Sequence, residues 1–159
     1  MDRSEFLADK ATPLMAAGAL FFNKAGRVLL VEPTYKSYRD IPGGYVEQGE
    51  SPLQTCIREV REELKITPPI GRLLAMDWAP SDTEGDKILY LFDGGVLDQA
   101  LLDSIVFKDG EIRAVAFHSV CEISRLTIPR LARRIERAVE ARQRGETVYL
   151  ERGGIPGPG

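Results

Sequence analysis

Apolar residues in this chain fall into short continuous runs and into helically spaced stripes. Ala16 to Phe22 and Arg27 to Glu32 are apolar runs on either side of Asn23-Lys24-Ala25-Gly26, a hairpin pattern. A polar loop, Pro33 to Asp40, leads into Ile41-Pro42-Gly43-Gly44. Leu53, Ile57, Val60 and Leu64 then recur at helical spacing and predict an amphipathic helix. Its start is marked by Ser51-Pro52-Leu53-Gln54: a capping serine, a proline at the first helical position, and a glutamine three residues after the cap. Pro68-Pro69 prevents continuation, so the helix should end near Leu64 to Ile66. Ile70 to Trp78, Lys87 to Phe92 and Glu111 to Phe117 read as strands, with an acidic loop, Pro80 to Asp86, between the first two. Ile128 to Arg144 reads as a second amphipathic helix with Leu131, Ile135 and Val139 inward. Gly145 ends it, and Thr147 to Leu150 adds a short edge strand. Strands bracketed by two helices predict an α/β chain built on a mixed sheet.

Length and composition narrow this. At 159 residues, the chain is expected to be one domain over 1–152 with a full core. The Gly/Pro-rich tail 153–159 is expected to be disordered. An apolar fraction of 43% and a charged fraction of 28% are those of an ordinary soluble protein. A net charge of −3 gives no support to general nucleic-acid or anionic-membrane binding. The longest apolar run, Leu14 to Phe22, is too short to span a bilayer, and a cytoplasmic protein is expected. Cys56 and Cys121 form no metal motif and read as buried free thiols in a reducing cytoplasm.

The chemistry concentrates on the first helix. Glu59, Glu62 and Glu63 stand at i, i+3 and i+4 and should gather on one side, away from the apolar stripe. Like charges at these spacings cost about a few tenths of a kcal/mol per pair, which Arg58 and Arg61 offset only in part. Clustered carboxylates of this kind suit a hard divalent cation, and magnesium binds through one or two carboxylates plus substrate phosphates. Glu50 lies just before the helix cap, where Arg58 can pair with it. The preceding Pro42-Gly43-Gly44 turn brings bare backbone close to the helix start.

The segment Gly44 to Ile66 resembles the Nudix box, Gly-x5-Glu-x7-Arg-Glu-U-x-Glu-Glu-x-Gly-U with U aliphatic. Gly44, Glu50, Arg58, Glu59, Val60, Glu62, Glu63 and Ile66 match. Lys65 stands where the pattern has its second glycine, a left-handed helix end at which lysine costs about 1 kcal/mol. The resemblance implies a Nudix-type α/β/α sandwich with a mixed sheet. It also implies a metal-dependent hydrolase of a nucleoside diphosphate linked to another moiety. Under it, Glu59, Glu62 and Glu63 ligate Mg²⁺ or Mn²⁺ with the backbone carbonyl of Gly43, and Glu50 and Arg58 form an orienting pair.

Other candidates are weaker in kind. A further carboxylate before the last sheet strand is common in the family; Glu111 is favoured here, with Asp109 or Asp103 as alternatives. His118, the single histidine, reads as structural. Arg39, Gly43, Gly44 and Trp78 are candidate substrate contacts, as are Tyr35, Tyr38 and Tyr90, since bases lodge between aromatic and apolar side chains. The expected partner is a small nucleotide diphosphate, with ADP-ribose or nucleotide sugars slightly favoured over (d)NTPs; a homodimer is left open. The alternatives are a non-catalytic Nudix-fold nucleotide sensor, which tends to lose the box glutamates, and prenyl-diphosphate isomerase chemistry, which expects a cleft cysteine.

Overall fold

The computed structural model describes residues 1–107 and 110–157. Seven strands form one mixed sheet: β1 (Leu14–Phe22), β2 (Val28–Pro33), β3 (Gly43–Tyr45), β4 (Leu73–Trp78), β5 (Lys87–Val96), β6 (Ile112–His118) and β7 (Val148–Glu151). Among the described residues five helices accompany them: α1 (Arg3–Leu7), α2 (Pro52–Leu64), α3 (Gln99–Asp103), α4 (Val120–Ile123) and α5 (Pro129–Arg144). The sheet order is β6-β2-β1-β5-β4-β7, with β3 paired to β1 off this path. Strands β1 and β5 run parallel, as do β4 and β7, while β1–β2, β2–β6 and β4–β5 are antiparallel.

Strand β1 is a continuous apolar run because both of its faces are covered. Leu20 and Phe22 pack with Leu74, Leu91, Ile135 and Ala138 beneath α5. The alternate residues, Ala19 and Phe21, pack with Leu29, Val60 and Leu64 beneath α2. The α/β/α sandwich expected from the sequence is the observed fold. The three short helices α1, α3 and α4 are not legible in the sequence, since none is long enough to show a periodic stripe.

The split of the sheet beside β1 creates the site. Strand β2 pairs with β1 only at Phe22 and Val28, while β3 takes the other end of the same edge, Ala16 to Gly18. The two partners diverge, and the segment from Pro33 to Tyr45 lines the gap between them.

Three expectations need correction. Leu53 and Ile57 are 39% and 37% exposed, whereas the buried side of α2 carries Thr55, Cys56, Val60 and Leu64. The helix is rolled so that Glu59 and Glu63 also turn inward. The expected disordered tail begins too early. Gly153 is buried and donates its N–H to Asp77 Oδ1 at 3.1 Å, and Gly154 forms an isolated bridge with Glu151. Gly153 has φ 78°, and a Cβ there would stand 2.6 Å from the Arg130 carbonyl oxygen, so only glycine fits. Of the two thiols, Cys56 is buried as expected but Cys121 is exposed. No helix among the described residues is long and apolar enough to cross a membrane.

Candidate active site

Helix α2 starts as its residues dictate. The Ser51 hydroxyl accepts from the Gln54 N–H at 3.2 Å, and the Gln54 side chain accepts from the Ser51 N–H at 2.8 Å, with Pro52 in the first turn. It ends at Lys65 with φ 60° and ψ 33°, so the left-handed turn is kept without glycine. The Lys65 ammonium donates to the Glu62 carbonyl at 2.7 Å, satisfying one of the terminal acceptors.

These two ends fix the side chains between them. Arg58 Nε and Nη2 donate to the two Glu50 oxygens at 2.6 and 2.9 Å. Its Nη1 donates to Glu59 at 2.8 Å and to Glu62 at 3.2 Å. Thr55 and the Glu47 N–H also donate to Glu50. The Arg58 hydrogen bond, with these donors, pulls the Glu50 carboxyl down to about 2.

Glu59 and Glu63 lie over the Gly43–Gly44 strand. A Cβ at Gly44 would stand 2.4 Å from the Glu59 carboxyl carbon, so glycine makes room for that carboxylate. Glu63 accepts from the Gly43 N–H at 3.4 Å. Burial first, and then the charge of Glu59, push the Glu63 carboxyl up to about 9. Glu59 is raised as well, chiefly by burial. Glu62 is the outward member, with 53% of its side chain exposed.

Two facing carboxylates beside the bare Gly43–Gly44 backbone are a hard-oxygen donor set, and their proton affinity is raised chiefly by burial and further by each other's charge. The residues therefore fit a divalent cation. Among the described residues no three acidic, histidine or cysteine side chains form a ready cage, and Arg58 holds Glu59 and Glu62 in its place.

These carboxylates form one wall of a cleft of about 680 Å³, a size that suits a nucleotide. Tyr35, Tyr38, Tyr90, Gly43, Gly44 and Glu111 also line it. Glu111 is exposed and directly precedes β6. Arg39 and Trp78 are not in the lining. Arg39 lies 3.7 Å from Glu32, and Trp78 ends β4, its carbonyl accepting from the Arg152 N–H. Asp103 is held by Gln99 on the surface of α3, and Asp109 falls outside the described residues. His118 contacts Glu122 at 3.4 Å away from the cleft.

Sequence reasoning missed seven charged or aromatic lining residues: Lys36, Asp40, Tyr45, Glu47, Glu84, Lys87 and Arg134. Lys36 donates to Asp40 at 2.8 Å and sits 5.5 and 5.4 Å from the Tyr35 and Tyr38 ring centres. Tyr45 donates to Glu84 at 2.6 Å, which also accepts from Lys87 at 3.0 Å. Only strand register joins Tyr45 to Lys87, because β3 and β5 flank opposite edges of β1. Arg134 had a signal: an arginine between Leu131 and Ile135, on the apolar stripe of α5.

The NUDIX domain model matches residues 12–140. Among solved structures, the MutT protein from Methanosarcina mazei Go1 is 25% identical, with a TM-score of 0.67 over 87% of this chain and 100% of that one. A UDP-X diphosphatase is 24% identical, with a TM-score of 0.70 over 92% and 72% of the two chains. The NUDIX domain of Shewanella oneidensis NrtR, complexed with ADP ribose, is 21% identical, with a TM-score of 0.65 over 88% and 98%. No curated protein matches. With the box on α2 and the family match over most of its length, the chain belongs to the Nudix family, as an enzyme of the pyrophosphohydrolase type.

Proposed function

We propose that this chain hydrolyses a nucleoside diphosphate linked to another moiety, with Mg²⁺ as cofactor and Mn²⁺ as a substitute. The observation that carries this is the placement of Glu59 and Glu63 over Gly43–Gly44, inside a nucleotide-sized cleft. Glu59, Glu62 and Glu63, with the Gly43 carbonyl, would hold the cation. A bound divalent cation neutralises the diphosphate and lowers the pKa of its water, which supplies hydroxide near neutral pH.

The remaining roles belong to this chain's own residues. Glu50 anchors Arg58, and Arg58 in turn fixes the orientation of Glu59 and Glu62. Glu111, which lines the cleft, would hold or move a proton at its carboxylate. Lys36 and Lys87 bring positive charge to the rim, and Tyr35, Tyr38 and Tyr90 offer faces to flat groups.

Within this class, ADP-ribose or nucleotide sugars are favoured over (d)NTPs. The solved relatives that are a UDP-X diphosphatase and an ADP-ribose complex support that order. Metal-dependent release of AMP from ADP-ribose, or of a nucleoside monophosphate from a nucleotide sugar, is the expected result. Release of pyrophosphate from a dNTP instead would reverse the order.

A further inference from the structure

The far wall of the cleft carries a charged group that the reaction chemistry does not use. Arg134 is 6% exposed, on the face of α5 that packs against the sheet. Its Nε donates to Asp77 Oδ2 at 2.5 Å, and Asp77 is fully buried, its other oxygen accepting from the Gly153 N–H. Arg134 Nη1 and Nη2 hydrogen-bond to no described residue. Among the described residues, Arg130 Nε is the one enclosed side-chain polar atom without a partner. The two Arg134 amino groups are therefore open to the cleft that the residue lines.

Once a bound group displaces water from the cleft, two unpartnered donors side by side are costly unless that group accepts from them. Three features describe the acceptor. Asp77 already offsets the guanidinium charge, so a neutral group suits the position better than a phosphate. Under the hydrolase reading the diphosphate goes to the cation site that Glu59 and Glu63 form over Gly43–Gly44, which leaves Arg134 for another part of the substrate. The cleft that Arg134 lines includes Ala16, Leu89, Leu91, Ile128 and Leu131, apolar side chains that suit the faces of a flat ring, with the Asp40 carboxylate as a second negative charge acting on the guanidinium.

We propose that Arg134 reads the nucleobase of the substrate, donating both amino groups to adjacent acceptors on a 6-oxopurine such as guanine. The fork matches the paired O6 and N7 acceptors of guanine. Adenine sets an amino donor beside N7, so one Arg134 donor would be left unpaired in an enclosed site. Uracil separates its two carbonyls by the N3–H donor, so it too leaves one Arg134 donor unpaired, whereas cytosine sets O2 beside N3 and is the one pyrimidine that could take both. The proposal rests on the hydrolase reading of the cleft and, within nucleotide sugars, moves the preference from adenine to guanine.

The test compares kcat/KM for GDP-glucose, UDP-glucose and ADP-glucose in wild type and Arg134→Lys, which keeps the charge facing Asp77 but loses the fork. Metal-free calorimetric binding of GMP and AMP is measured beside it. Wild type should prefer GDP-glucose to ADP-glucose by about 10- to 100-fold, and GMP to AMP by a similar ratio. In Arg134→Lys both ratios should collapse to about threefold or less. Ratios unchanged in the variant, or a wild-type preference for adenine, would overturn the proposal. An equal loss for all three sugars together with lost binding of inorganic pyrophosphate would put Arg134 on phosphate, which also overturns it. If no nucleotide sugar is hydrolysed, the hydrolase reading fails separately, and GMP against AMP binding still decides Arg134. Should the variant fail to fold, the wild-type ratios decide it alone.

Discussion

The two walls of the cleft both pair arginine with carboxylate, and they do it in opposite ways. On α2, one arginine serves three glutamates in a half-open network, and the surplus is negative. On α5, one arginine faces one buried aspartate, and its two remaining donors open to the cleft. The first wall is short of positive charge and suits a cation. The second is short of acceptors and suits a group that supplies them. An arginine–carboxylate contact alone therefore says little; the unsatisfied remainder tells what the site takes.

Breaking the buried pair should have the largest effect on the fold. Asp77→Ala leaves the Arg134 charge uncompensated and frees the Gly153 N–H, so a loss of about 3–5 kcal/mol is expected by denaturant unfolding. A loss below about 1 kcal/mol would mean that water reaches the pair. Glu63→Gln should do the reverse: turnover falls at least about 100-fold, because a proposed ligand is lost, while the circular-dichroism spectrum of the native fold is kept. Retained activity would remove Glu63 from the mechanism.

The charge surplus on α2 should also show in pH dependence. Folding raises the Glu63 carboxyl from an ordinary value of 4.5 to about 9, so the native state binds a proton that the unfolded chain has released. Its contribution is fully present below about 4.5 and is lost as pH rises toward 9. Metal-free protein should therefore lose stability across that window, and Glu63→Gln should flatten the slope. A flat wild-type profile would mean that the Glu63 carboxyl is neither buried nor crowded by Glu59 in solution. The smallest effect is expected at the helix end. Lys65→Gly relieves a left-handed lysine and should gain up to about 1 kcal/mol in a thermal melt, with kcat unchanged.

What is legible in the sequence follows the reach of each interaction. Ser51 to Gln54 and Glu50 to Arg58 are local, so spacing alone places the helix start and the orienting pair. The roll of α2 is not local. Leu53 and Ile57 read as inward because they are apolar, yet the bare Gly43–Gly44 backbone lets Glu59 and Glu63 turn in instead. Arg39 and Trp78 are candidates by residue type, and topology places both outside the cleft lining. Asp77 and Arg134 each stand as a lone charge within an apolar pattern, but their pairing depends on α5 crossing β4. Two such out-of-pattern charges of opposite sign, on two elements that bury the same core, are a signal that the chain itself carries.

The most direct measurement is nucleoside monophosphate release from ADP-ribose and nucleotide sugars, with and without Mg²⁺ or Mn²⁺, beside calorimetric binding of the same compounds. The expected result is turnover that requires the cation and disappears in Glu63→Gln. Tight binding without turnover at any cation concentration, or turnover indifferent to both cation and Glu63, would contradict the hydrolytic role given to the α2 wall.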